Sequence, residues 1–170
     1  MARKAAKKAV SPSNVSYPEG CEGVDPSSSN TSLALSLKNL YECLCEEGVD
    51  TDDNFASLSS HLVNQQLLNK PADVSVYVAL CLAQIFVILH PNNPFDLNNE
   101  ELKEALEFIA KSLGRIRIEN EAIYARYHNL LELVSSNNIL QNIIHLDGDK
   151  LDGSKVICTL IKSAALIVEV

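Results

Sequence analysis

Between residues 73 and 90 the chain reads DVSVYVALCLAQIFVILH, and no other stretch limits the fold as much. Val74, Val78, Cys81, Leu82, Ile85 and Leu89 recur at helical spacing. Tyr77, Ala79, Leu80, Phe86 and Val87 fill the positions between them. A helix that is apolar nearly all round has to be covered on most of its sides. The β-branched residues would also suit a strand, but strands usually run only about 5–6 residues. Pro71 and Asp73 suit a first helical turn, and Pro91 stops the helix. The spacing therefore predicts an inner core helix with neighbours on more than one side. The run falls short of the about 20 residues that cross a bilayer, and Gln84 sits inside it. It reads as a buried helix, with no membrane partner.

The chain has 170 residues, 46% of them hydrophobic, which is enough for one domain with its own core. Its formal charge of −8 is uneven. Arg3, Lys4, Lys7 and Lys8 make the first ten residues basic, so everything after them is strongly acidic. An acidic body does not suit a duplex-DNA groove, because affinity for phosphates comes mostly from Lys and Arg. After the basic run, SPSNVSYPEGCEGVDPSSSN has few large aliphatic side chains and cannot bury enough surface to offset its ordering entropy. Residues 1–28 are thus expected to be a disordered tail, basic and then Ser/Pro-rich. The basic cluster is read as a solvated end, with nuclear import or contact with an acidic surface as the alternatives. Residues 29–170 are expected to form the helical domain.

Six further helices flank the inner one. The first spans 31–47, capped by Thr31 or Ser32, with Leu33, Leu37, Leu40 and Leu44 on one face. The second spans 53–69, with Phe55, Leu58, Leu62 and Leu67 or Leu68 as its stripe. His61 beside that stripe reads as a hydrogen-bonded structural residue, since no partner stands at metal-ligand spacing. After the inner helix, Asn98 and Glu101 resemble a capping box that opens a helix to Leu113, ended by Gly114. Helices over 121–135 and 138–145 follow, and the last runs from Ser154 off the end of the chain.

Nothing here carries catalysis or metal binding. The five cysteines contain no CxxC pair, Cys43 and Cys45 are too close for a zinc knuckle, and all five read as reduced thiols. Asp147, Asp149 and Asp152 invite a calcium loop, but the glycine and final glutamate of that pattern are absent, and two Asp-Gly turns explain them better. Cys81 and Cys158 are the best nucleophile candidates, and neither has a His/Asp arrangement around it. No metal, cofactor or small-molecule substrate is expected, and the chain reads as no enzyme.

Helices separated by short turns form most simply an all-α solenoid of stacked antiparallel pairs, HEAT-like, with about seven helices. A compact bundle is the alternative, in which the last helix packs back on the first. The last helix carries Val156, Ile157, Leu160, Ile161, Ala164, Ile167 and Val168, with no later segment to cover it. That apolar surface is expected to meet a partner or further repeats.

The stretch 67–95 resembles the cohesin-associated precocious-dissociation-of-sisters family, near its N-terminus. The residues that carry the likeness are Asp73-Val74, the run Val78 to Ala83, Ile85-Phe86, Pro91, Pro94 and Phe95, in order. Leu58 with His61-Leu62 resembles the family's Leu-x-x-His-Leu, and Arg126-Tyr127 with Leu130-Leu131-Glu132 its Arg-Tyr-x-x-Leu-Leu-Glu. The resemblance covers roughly residues 31–145. It implies a non-enzymatic, HEAT-repeat regulator of sister-chromatid cohesion, nuclear and chromosome-associated, touching chromatin only indirectly. Its implied partners are the kleisin subunit of cohesin, and release or protection factors that carry Tyr-Ser-Arg-like motifs. The alternative is a helical-repeat adaptor in another intracellular assembly, for transport or signalling.

By the same resemblance, those motifs dock on an Ala-Pro-acidic-Ala-Pro loop. Here the loop is His90, Pro91, Asn92, Asn93, Pro94, Phe95. Both prolines and the aromatic remain. Asn92 replaces the acidic residue, and His90 and Asn93 replace small alanines. The resemblance leads us to expect this corner to lie exposed beside a groove.

Overall fold

A computed structural model describes residues 15–46, 55–95, 98–115, 121–146 and 153–168. They contain helices and connecting turns, with no strand among the described residues. In chain order the helices are α1 (Asn30–Leu44), α2 (Phe55–Leu62), α3 (Gln65–Leu68), α4 (Ala72–Leu89), α5 (Asn99–Leu113), α6 (Glu121–Ser136), a 3-10 helix (Ile139–Leu146) and α7 (Ser154–Val168).

Everything is arranged about α4. It packs on α1 on one side and on α6 and α5 on another, with α2 and α3 against it as well. From Val74 to Ala83 every residue is buried, and so are Ile85 and Phe86. By length and apolarity α4 could cross a membrane, at a mean hydropathy of 2.2. Its neighbours supply the cover that such a surface requires. Two polar groups on α4 have partners in α1. The Cys81 thiol donates to the Leu37 carbonyl at 3.5 Å. Gln84 Nε2 donates to the Leu44 carbonyl at 3.2 Å. Carbonyls in a last helical turn lack intrahelical partners, so Gln84 serves the end of its neighbour.

Layers continue outward on the far side of α4. Tyr127, Leu130 and Val134 of α6 are buried, and the Arg126 guanidinium lies 4.7 Å from the centre of the Tyr77 ring. α7 packs chiefly on α5. There the Ser163 hydroxyl donates to the Ala110 carbonyl at 2.7 Å. A Cβ built on Gly114 would stand 2.9 Å from that hydroxyl oxygen. Gly114 is in the αR region with φ −67°, so close approach, not a left-handed backbone, is what demands glycine here. The sequence α1, α4, α5, α7 is a stack of helices, as in a HEAT-like solenoid. The packing of α7 on α5 disfavours the compact bundle.

Several expectations need correction. The second helix is broken: Val63 and Asn64 separate α2 from α3. Asn64 caps the second piece, its side chain accepting from the Gln66 N–H at 2.9 Å. The expected helix over 138–145 is a 3-10 helix. It follows a turn in which Asn138 takes φ 53°, a left-handed conformation that Asn tolerates. Ser29, not Thr31 or Ser32, caps α1, its hydroxyl accepting from the Ser32 N–H at 3.3 Å. Asn98 caps α5 as expected, accepting from the Glu101 N–H at 3.3 Å. The reciprocal half of that capping box does not form. The Asn98 N–H donates to the Phe95 carbonyl, and the Glu101 carboxylate accepts from the Ser60 hydroxyl of α2.

The largest difference concerns residues 15–28. Their composition predicts a disordered tail, yet they form a strap seated on α2. The Ser16 N–H donates to the Ser57 hydroxyl at 3.2 Å. The Tyr17 hydroxyl accepts from the Val24 N–H at 3.0 Å, closing the strap on itself. Pro18 and Val24 are buried, and His61 Nε2 donates to the Val24 carbonyl at 2.8 Å. Tyr17 meets the His61 ring edge-on, with centroids 6.5 Å apart. His61 is thus the structural, hydrogen-bonded residue its position predicts. The basic residues before Ser11, the connector after Arg115 and the aspartates between α6 and α7 lie outside the described residues.

Candidate functional site

The corner that joins α4 to α5 is built by its own sequence. His90, just before proline, takes φ −50° and ψ 132°, the extended conformation that a following proline imposes. α4 therefore ends at Leu89, and the His90–Pro91 peptide bond is cis. The Asn92 N–H donates back to the Leu89 carbonyl at 2.7 Å. The Asn93 side chain accepts from the Phe95 N–H at 2.9 Å, an Asx-type turn. Phe95 then turns inward, its ring 6.1 Å from that of Phe86.

The six corner residues accordingly divide. His90, Pro91 and Asn92 are exposed, Asn93 is half-buried, and Pro94 and Phe95 are buried. Full exposure from Pro91 to Phe95 was expected, and the structure does not have it: the ring of Phe95 fills space beside Phe86, where leaving it wet would forfeit its burial. The exposed part of the corner is His90-Pro91-Asn92, with Pro94 and Phe95 buried after it. Of the inner-helix residues, Val74, Val78, Cys81, Leu82 and Ile85 are fully buried. Leu89 is only half-buried, because it occupies the last turn where α4 reaches the corner.

A concavity of about 360 Å³ lies between α3 and α5. Leu68 and Phe108 line it together with Glu107, Lys111 and Arg115. Its charges are largely engaged: Lys111 Nζ lies 3.3 Å from Glu107 Oε2, and Arg115 Nη1 donates to the Ser75 hydroxyl at 3.0 Å. Sequence spacing could not reveal this hollow, since its walls come from two helices whose pairing only the fold decides.

The thiols are free. Burial raises the pKa of Cys81 well above its ordinary value, which makes it a packing residue and a poor nucleophile. Cys158 is exposed on α7. No group of three or more His, Cys, Asp or Glu side chains among the described residues is placed to hold a metal. On α7, Ile157 and Ile161 are 47% and 63% exposed, whereas Val156 is buried. These two isoleucines stand open on α7 beside the exposed Lys155 and Lys162, and the side chains of Ala164, Ile167 and Val168 lie outside the described residues.

Comparison with known proteins decides the family. The family profile described as sister chromatid cohesion protein PDS5 matches residues 31–166. The chain belongs to the PDS5 family. It is 30% identical over 129 residues to sister chromatid cohesion protein PDS5 homolog A-A of Xenopus laevis, which covers 74% of this chain and 10% of that protein. It is 28% identical over 122 residues to PDS5 homolog A of Homo sapiens, 69% of this chain and 9% of that protein. The Danio rerio homolog A is 30% identical over 122 residues. The chain thus spans about a tenth of the length of these curated relatives. No solved structure matches it. The matched region holds α1 to α7 and the corner at 90–95, while the strap at 15–28 precedes it.

Proposed function

We propose that this PDS5-family chain acts in sister-chromatid cohesion as a non-enzymatic, nuclear, chromosome-associated scaffold. It binds cohesin through the kleisin subunit and offers the His90-Pro91-Asn92 corner to short Tyr-Ser-Arg-like motifs of release or protection factors. The observation that supports this reading is the family match across residues 31–166, a range that includes the corner at 90–95. The exposed Pro91 and Asn92, with Pro94 and Phe95 as a buried brace, give a short peptide a shaped rather than a collapsing surface.

Asn92 sets the expected strength. A hydrogen bond to a charged group is worth about 1.5–3 kcal/mol, and a neutral one about 1 kcal/mol. Docking through Asn92 is then weaker than through a carboxylate by about threefold to thirtyfold, at about 1.4 kcal/mol per tenfold. Affinity purification of the chain from dividing cells, scored for cohesin subunits, tests the scaffold role. Recovery of a different assembly without cohesin would replace it with the general adaptor reading. Titration of a Tyr-Ser-Arg peptide against the wild type and Asn92→Asp tests the corner. Tighter binding by the variant is expected, and equal binding by Pro91→Ala and wild type would exclude the corner as the dock.

A further inference from the structure

The hollow between α3 and α5 lies toward the end of α5 that is far from the corner. α5 lends it one stripe of side chains. Glu104, Phe108, Lys111 and Arg115 follow at i, i+4, i+7 and i+11, a spacing that keeps them on one helical face. All four line the hollow. Their order along the stripe is anion, ring, cation, cation. α3 supplies the opposite wall with Gln65, Leu68 and Asn69, so Leu68 faces Phe108 as the apolar part. Arg115 is anchored from below. The buried Ser75 hydroxyl donates to the Ala72 carbonyl at 3.4 Å and accepts from Arg115 Nη1 at 3.0 Å. A guanidinium carries five N–H donors, so this bond fixes the group and leaves donors for a carboxylate. The Lys111 side chain is 60% exposed in its i,i+4 pair with Glu107, and a pair of that kind is worth little in water and exchanges partners readily. On α3 the Asn69 amide nitrogen donates to the Gln65 carbonyl at 2.8 Å and to Gln65 Oε1 at 3.4 Å. The Asn69 amide oxygen and the Gln65 amide nitrogen are left to meet a ligand's backbone.

We propose that this hollow docks a short extended segment of another protein, in which a basic, a large apolar and an acidic residue stand at alternate positions. This inference is independent of the cohesion reading and of the corner. The spacings agree. Glu104 and Phe108 are about 6 Å apart along the helix axis, at about 1.5 Å per residue. In an extended peptide, side chains two residues apart share one face and stand about 6.6 Å apart. The basic side chain meets Glu104 while the apolar one enters between Leu68 and Phe108. The acidic one, two residues on, then reaches Lys111 and Arg115. Segments with two acidic or two basic ends are rejected, because each sets a like charge against one end of the stripe.

The test titrates the isotope-labelled full chain with the capped peptide acetyl-Lys-Gly-Leu-Gly-Asp-amide and follows backbone amide shifts by NMR. Saturable shifts are expected at 65–69 and 108–115, with none at 90–92. Replacing the peptide's leucine by serine should weaken binding about tenfold. Replacing its lysine by glutamate should weaken it about fivefold. Lys111→Glu, at an exposed position, should lose about fivefold for this peptide and gain for acetyl-Lys-Gly-Leu-Gly-Lys-amide. Unfolding cannot produce that exchange of preference. Absence of shifts at 65–69 and 108–115 with millimolar peptide would overturn the proposal, and so would shifts confined to the corner. Equal binding of the leucine and serine peptides, or an unchanged charge preference in Lys111→Glu, would overturn it as well.

Discussion

α4 and the strap at 15–28 are held in opposite ways. α4 is covered by apolar side chains from several helices, and its stability is spread over many of them. The strap depends on a few points: the Val24 side chain, the Val24 carbonyl on His61, the Tyr17 hydroxyl and the Ser57 hydroxyl. Hydrophobic burial is non-directional and tolerates no single decisive contact, whereas hydrogen bonds at a few points act as separate latches. Loss of one residue of α4 should therefore weaken the whole domain. Loss of a strap latch should release the strap and leave the helices folded.

The largest effect tests the first half of that contrast. Leu82→Ala in α4 leaves a cavity at a position that is 1% exposed, and should cost about 2–5 kcal/mol in urea denaturation. Protection of amides in α1, α5 and α6 should fall with it. A variant that loosened α4 alone would break the picture of one shared core.

Next is His61→Ala, which removes the shorter of two hydrogen bonds to the Val24 carbonyl, leaving the Tyr17 hydroxyl at 3.5 Å, and with the lost packing of the buried ring should cost about 1–3 kcal/mol. Hydrogen exchange should rise over 17–24 and stay unchanged in α4. If α4 amides quicken equally, strap and core are one cooperative unit.

Gly114→Ala probes a contact belonging to neither region. The added methyl meets the Ser163 hydroxyl, and the overpacking should cost about 1–3 kcal/mol. Combining it with Ser163→Ala should recover part of that loss, a coupling that thermal melts of the double-mutant cycle will measure.

The smallest effect is a titration. The backbone N–H of Ser27, then its hydroxyl, hold the exposed Asp25 carboxyl below its ordinary value of 3.8. A depressed pKa stabilises the fold above the unfolded value, and that contribution is lost as pH falls through the folded one. Protection of the turn at 25–28 should thus decline below about pH 3.8, while α4 is unaffected. In Asp25→Asn that decline should be absent.

Legibility in the sequence follows the same division. The inner helix could be read because its apolar period persists over many residues, and a signal that long has no rival but a strand of implausible length. The cap at Asn98 was visible because the residues that make it are neighbours in sequence. The strap was not, because composition reports how much surface a segment could bury by itself, and Val24 is covered by α2, far along the chain. The break at Asn64 lay inside a stripe whose apolar spacing continues through Leu67, so periodicity concealed it; an Asn before Gln-Gln-Leu-Leu was the available sign of a new N-terminus. At the corner, the two prolines marked the turn. Which of its residues stay wet depended on Phe86 receiving Phe95.

By itself the sequence determined that residues 73–90 form a buried helix, that proline ends it, and that the neighbouring segments are amphipathic helices ready to cover it. These are consequences of local backbone chemistry and apolar period. Only the tertiary structure decided that the strap is seated on His61, that Gly114 faces Ser163, and that Phe95 turns in beside Phe86. Each of those depends on a contact between residues far apart in the chain or on different elements, and short-range spacing carries no information about which surfaces will meet.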